Sequence, residues 1–170
     1  MTEIRVAILT VSDACSRGDR EDRSGEVIAE WCAGKGHTVA GHDVVPDEPH
    51  LITEALLRWT DSGEADVVLT TGGTGFGPRD VTPEATNAVM EREAPGIVEA
   101  IRRRGLARTP FASLSRGVAG TRGRTLIVNL PGSPGGVGDA LEVLVDLVPH
   151  VVGLMRGEET DHMQSPDRRT

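Results

Sequence analysis

The sequence predicts an α/β fold: a single three-layer domain with a mostly parallel sheet and helices on both faces. Short, largely apolar runs recur at residues 6–11, 65–71 and 125–130, and runs of that length read as strands buried on both sides. Each run ends in a loop rich in glycine or polar residues. The segments between them place apolar residues at helical spacing, and this alternation implies parallel strands joined by helices. A chain of 170 residues suits one domain and is long enough to bury a sizeable core.

The elements follow in order. The run 6–11 opens into a polar loop from Ser12 to Ser24, and Ser24-Gly25 opens a helix carrying Val27, Ile28, Trp31 and Cys32 on one face. Gly34 and Gly36 mark its end. A second strand covers residues 37–45, and Pro46-Asp47-Glu48-Pro49 closes it. Leu51, Ile52, Ala55, Leu56 and Trp59 then keep helical spacing as far as Ser62-Gly63. After the third strand come four glycines within residues 72–77, and Thr82-Pro83-Glu84 reads as a helix N-cap, an N1 proline and a first-turn acid. Residues 95–105 and 111–119 read as short helices, the first with a basic run at Arg102, Arg103 and Arg104 taken as a solvated face. The strand 125–130 precedes Pro131-Gly132-Ser133-Pro134 and a last helix with Val137, Leu141, Leu144, Val148, Val152 and Met155 on its apolar positions. The expected domain is 1–156, with a polar, flexible tail over 157–170.

Composition removes several classes of function. The formal net charge is −8 and aromatic residues make up 2% of the chain, with no tyrosine. An acidic field repels phosphodiester backbones, and stacking platforms are nearly absent, so no nucleic-acid partner is expected. Lys35 is the sole lysine, which leaves little room for Schiff-base chemistry or a lysine-bearing phosphate loop. Cys15 and Cys32 have neither disulfide nor zinc spacing and read as free thiols. No segment has the length and apolarity of a membrane span, so no membrane partner is expected and the localisation reads as cytoplasmic.

Candidate sites fall in the loops after the strands, where open parallel sheets place their ligands. The loop 72–80 is the most informative: its glycines bring backbone N–H groups close to an anion, and the helix that follows adds its positive end. It lacks the Gly-Lys-Ser/Thr of a Walker A loop and misses the G-x-G-x-x-G spacing of dinucleotide folds. Arg79 suits phosphate oxygens, and Asp80 suits a hard divalent cation or a phosphate nucleophile, although an Arg-Asp pair before a helix is often only a solvated cap. Asp47 reads either as the cap of the next helix or as a second carboxylate at a neighbouring strand end. Two such carboxylates suit Mg²⁺ with phosphate oxygens completing its shell. His37, His42, His50, His150 and His162 have no ligand-like spacing.

The long segment Leu69-Thr70-Thr71-Gly72-Gly73-Thr74-Gly75-Phe76-Gly77-Pro78-Arg79-Asp80-Val81-Thr82-Pro83-Glu84-Ala85-Thr86 resembles the signature of the molybdopterin-binding Mog/MoaB family, to which the G domain of gephyrin is related. Further matches are Val11-Ser12-Asp13-Ala14-Cys15-Ser16-Arg17-Gly18, Asp22-Arg23-Ser24-Gly25, Ser115-Arg116-Gly117-Val118-Ala119-Gly120-Thr121-Arg122-Gly123 and Asn129-Leu130-Pro131-Gly132-Ser133-Pro134. They run in order from about Arg5 to Met155; the tail beyond departs from the family pattern. The Ser-Arg-Gly and Asn-Leu-Pro-Gly segments resemble the molybdopterin adenylyltransferases more than the MoaB branch.

The resemblance implies a homotrimer that transfers AMP from ATP to the terminal phosphate of molybdopterin, releasing pyrophosphate and supplying a molybdate-insertion enzyme. It implies catalytic roles for Asp47 and Asp80, through Mg²⁺ and substrate positioning. Gly72, Gly73, Thr74 and Gly75 would bind ligand through the backbone, Ser115 and Asn129 would lie at the molybdopterin pocket, and Ser12, Asp13, Gly132 and Ser133 would line the nucleotide side. No strong general base is needed, because the nucleophile is an ionised phosphate, and no Ser-His-Asp or Cys-His set is recognisable. The alternative is a non-catalytic molybdopterin-binding or scaffold protein of the MoaB branch. A nicotinamide oxidoreductase is disfavoured by the missing fingerprint.

Overall fold

A computed structural model describes residues 3–158. The polar tail expected from Gly157, and His162 with it, lies outside the described residues beyond Glu158. The chain begins with β1 (Arg5–Val11), a one-turn helix α1 (Asp13–Ser16) and α2 (Arg23–Lys35). Next come β2 (Thr38–Val45), α3 (Pro49–Asp61), β3 (Val67–Thr71) and α4 (Thr82–Val89). The two-residue β4 (Arg92–Glu93), α5 (Pro95–Leu106), a 3₁₀ turn (Pro110–Leu114), β5 (Ala119–Arg122), β6 (Thr125–Leu130) and α6 (Pro134–Arg156) complete it.

The six strands lie in the order β2-β1-β3-β6-β5-β4. The first four are mutually parallel, and β5 and β4 add on antiparallel at one edge. Every residue of β3 and β6 is buried, as strands covered on both faces must be. Val6, Ile8, Val67, Leu69, Leu126 and Val128 face one core with Ile28 of α2, Ile101 of α5 and Leu144 of α6. Ala7, Leu9, Val68 and Ile127 face the other, with Leu56 of α3 and Ala85 of α4. The three layers, the mostly parallel sheet and the helices on both faces agree with the sequence.

Four local expectations are corrected. Residues 111–119 do not form a helix: a 3₁₀ turn ends at Leu114, and the chain then enters β5. With β4 and β5 only two and four residues long, neither shows an alternation that sequence could reveal. The loop from Ser12 contains α1, capped by the Ser12 hydroxyl on the Cys15 N–H, and α2 begins at Arg23 behind an Asp22 cap rather than at Ser24. Thr82 is the first helical residue rather than the cap. Its hydroxyl donates to Gly72 O at 2.9 Å. The basic run is not simply solvated: Arg102 donates to Ser115 O and Gly117 O, and Arg104 Nε donates to Glu142 at 2.8 Å.

The topology fixes where a ligand can sit. From β3 the chain turns to α4 on one face, while from its neighbours β1 and β6 it turns to α2 and α6 on the other. Loops that leave adjacent strand ends in opposite directions open a crevice between them. Here that happens on both sides of β3.

Candidate active site

The glycine loop after β3 forms the wall between those crevices. Gly72 and Gly73 have φ of 97° and 66°, backbone that side chains rarely adopt. A Cβ on Gly72 would lie 2.2 Å from Val11 O, and one on Gly73 would lie 2.3 Å from the Thr82 hydroxyl. These glycines are therefore required by conformation and by space. Thr82 N donates to Gly73 O at 3.1 Å, so α4 fastens the loop it follows.

Asp80 folds back on the same loop, its carboxylate accepting from Gly77 N at 2.8 Å. The loop is also held by Arg116, which the sequence placed in a motif but gave no role. Arg116 N donates to Thr74 O, Nε to Gly75 O at 2.7 Å and Nη2 to Asp80 O at 2.7 Å. The same guanidinium pairs with Glu84 and lies 5.7 Å from the Phe76 ring centre.

On the opposite side of the first crevice, Asp13 and Asp47 grip each other. The Asp13 N–H donates to Asp47 Oδ2 at 2.8 Å and the Asp47 N–H to Asp13 Oδ1 at 3.0 Å. Asp47 therefore does not cap α3; Glu48 occupies the cap position without a side-chain bond. Nor do Asp47 and Asp80 follow adjacent strands, because β1 lies between β2 and β3. The two carboxylates still feel each other. Burial first, then the charges of Asp13 and Asp80, push the Asp47 carboxyl upward from its ordinary value.

Arg79, expected at phosphate, is held by carboxylates. Its Nε and Nη2 reach Asp13 at 2.6 and 3.0 Å, and Nη2 also reaches Glu48 at 2.8 Å. Those bonds bring the Asp13 carboxyl down to about 2. The arginines that do line the first cleft are Arg20 and Arg23, and Arg20 donates to the Ser12 hydroxyl at 3.2 Å. Asp22, which also lines this cleft, accepts from Thr10 Oγ1 at 2.6 Å, meets His42 Nε2 at 2.8 Å and caps α2 through Gly25 N. Residues distant in sequence give no local signal for such a cluster.

Two clefts result. The first, about 670 Å³, runs from Ser12 and Asp22 past Asp47 to Thr71 and Gly72. The second, about 590 Å³, is walled by α5, the 3₁₀ turn and the start of α6, with Ile101, Phe111, Ala112 and Leu114 giving it an apolar lining. Gly73, Asp80, Gly132 and Ser133 line both. Thr74, Gly75 and Ser115 lie in the second cleft alone. Asn129 lines neither: it is 2% exposed, and its amide bonds Thr70 and Thr86 while its oxygen accepts from Val118 N. Ser133 caps α6 by accepting from Gly136 N, and Thr71 and Ser24 tie down the carbonyls of Pro131 and Gly132.

An open α/β sheet with a glycine-walled pair of clefts at its carboxyl edge has the architecture of a small-ligand-binding domain. Residues 7–150 match the family model described as a probable molybdopterin binding domain, and the chain belongs to that family. It is 39% identical to the molybdopterin adenylyltransferase of Helicobacter pylori, over 92% of this chain and 90% of that one. It is 42% identical to the molybdenum cofactor synthesis protein cinnamon of Drosophila melanogaster over 91% of this chain, but spans only 26% of that longer protein. The crystal structure of the molybdopterin biosynthesis enzyme MoaB from Thermus thermophilus superposes with a TM-score of 0.86 at 51% identity, covering 91% and 98% of the two chains.

Proposed function

We propose that the chain transfers AMP from Mg-ATP to the terminal phosphate of molybdopterin, giving adenylylated molybdopterin and pyrophosphate. The observation that carries this reading is the seam at Gly73, Asp80, Gly132 and Ser133, where a polar cleft and an apolar cleft share one wall. Transfer between two bound molecules needs their reacting groups to meet at one point while the remainder of each is held apart. The first cleft suits the nucleotide, and the second suits a flat heterocycle.

In the reaction an oxygen of the pterin phosphate attacks the α-phosphorus, the bond to the bridging oxygen breaks, and pyrophosphate leaves. Both reactants are anions, so repulsion and alignment dominate the barrier. Backbone N–H groups of the glycine loop and Arg20 or Arg23 would offset that repulsion. Asp47 and Asp80 would meet the magnesium of Mg-ATP. Among the described residues no group of three or more His, Cys, Asp or Glu side chains is arranged to hold a metal. Two carboxylates facing one cleft fit a magnesium that arrives with phosphate oxygens and water in its shell, rather than a resident ion.

The family resemblance adds a cytoplasmic homotrimer whose product passes to a molybdate-insertion enzyme; light scattering tests the oligomer. No helix among the described residues is long and apolar enough to cross a membrane. The decisive experiment incubates the protein with molybdopterin, magnesium chloride and α-labelled ATP and follows label into the pterin. The expected result is transfer that disappears without magnesium and in the Asp80→Asn variant. Tight pterin binding without transfer would leave the alternative, a non-catalytic binding module of the MoaB branch.

A further inference from the structure

Beside its apolar residues the second cleft carries a nearly buried carboxylate. Asp139 lies in the second turn of α6, its side chain only 10% exposed, and it lines the cleft beside Ile101 and Ala112. Its ionic partners are Arg108 at 2.7 Å, itself 62% exposed, and Arg104 at 3.8 Å. Burying a carboxylate costs several kcal/mol unless its neighbours compensate; here both arginines reach the same oxygen, Oδ1, and Arg108 itself lines the cleft. An aliphatic residue would complete the wall between α5 and α6 without that cost. A few polar groups in an otherwise apolar pocket are how such pockets choose among ligands of similar shape.

We propose that Asp139 reads the edge of the pterin's pyrimidine ring. This rests on the assignment of the second cleft to the pterin. A 2-amino-4-oxo pyrimidine presents two adjacent N–H donors, on the exocyclic amine and on the ring nitrogen beside it. A carboxylate has two acceptor oxygens at matching spacing and no donor, so it pairs with that edge and repels one that offers a carbonyl instead. The phosphate end of the same molecule would point toward Ser133 and Gly73 at the seam, where the incoming nucleotide lies. Asp139 thus sets both which heterocycle enters and which way round it sits.

The test uses the intact protein and two probes that differ only at this edge: 2-amino-4-oxopteridine and 2,4-dioxopteridine, titrated by their own fluorescence. The wild type is expected to prefer the amino compound by roughly tenfold or more, the loss typical of a hydrogen bond to a charged group. Asp139→Asn is expected to abolish that preference, because its amide replaces one acceptor with a donor. Arg108→Ala removes the ion pair but keeps the acceptor, so it should retain the preference; its loss there would show a merely structural carboxylate and overturn the assignment. Full preference in Asp139→Asn overturns it as well. If the wild type binds neither pteridine, the second cleft is not a pterin site and the functional reading fails with it. Transfer of AMP by an Asp139→Asn protein that still discriminates sinks only the role of Asp139.

Discussion

Asp13 and Asp47 each donate a backbone N–H to the other's carboxylate, at 2.8 and 3.0 Å, and this mutual grip ties the loop after β1 to the loop after β2. It brings two like charges together, and their surroundings push them apart in acidity. Arg79 holds the Asp13 carboxyl down at about 2, whereas burial and the nearby acids hold Asp47 up.

The two residues should therefore affect stability with opposite sign. Asp47 keeps its proton longer in the folded chain than in the unfolded one, so its contribution declines as pH rises from the ordinary carboxylate value through the raised one. Asp47→Asn should melt higher than the wild type at neutral pH. That gain should vanish below the window. Asp13 behaves the other way: its contribution is present above its ordinary value near 3.8 and is lost as pH falls toward 2. Asp13→Asn should melt lower at neutral pH, with the deficit closing in acid. Melting curves from pH 2 to 8 decide this, and a destabilised Asp47→Asn at pH 7 contradicts the account.

Asp13 and Glu48 engage Nε and Nη2 of Arg79 at 2.6–3.0 Å, so both carboxylates compete with a phosphate for its guanidinium. Glu48→Ala removes one competitor. Exposed ion pairs are worth about 0.2–1 kcal/mol, so the KM for ATP should fall by up to about fivefold with kcat little changed. An unchanged KM would mean that Arg79 remains with Asp13 during turnover and serves only to hold the loops.

Arg116 fixes the glycine loop and the backbone of Asp80 through three main-chain bonds, two of them from its side chain. Lysine lacks the planar fork that reaches Gly75 O and Asp80 O together. Arg116→Lys and Arg116→Ala should therefore lower kcat by about 10- to 100-fold, since small displacements at a transfer site carry penalties of that order. KM for either substrate should move less. Added guanidinium should restore part of the activity of Arg116→Ala but not of Arg116→Lys; absence of rescue in the alanine variant removes the positioning role.

How far the sequence exposes such relationships depends on their range. The strands 6–11, 65–71 and 125–130 are visible because burial on both faces leaves a short, largely apolar run. The glycine loop is visible because its backbone and its space both forbid a side chain. Arg116 and Asp22 are not, since their partners lie 36 and 41 residues away for Arg116 and 12 and 20 residues away for Asp22, and nothing local marks an arginine or aspartate as a brace. Strands β4 and β5 are hidden by their length, and the helix expected over 111–119 overlaps β5 only at Ala119. The separation of Asp47 from Asp80 by β1 is a property of strand order, which no linear pattern carries.

Asn129 shows how a motif residue can support a site without touching it. The family resemblance places it at the pterin pocket, yet its amide is spent on Thr70 and Thr86 at 3.0 Å each and its oxygen on Val118 N at 3.1 Å. These bonds join β6 to β3, α4 and the segment leading into β5. Asn129→Ala would leave the Val118 N–H and two threonine hydroxyls to find other partners in a buried setting, at about 2–4 kcal/mol in total. The melting temperature should fall by about 5–15 °C. Asn129→Asp should be worse, because it brings an unpaired charge into the same place and loses the donors to both threonines. For Asn129→Ala, assayed well below its melting point, the affinity for molybdopterin should change by less than about threefold. A large affinity loss with unchanged melting would instead place Asn129 in direct contact with the ligand.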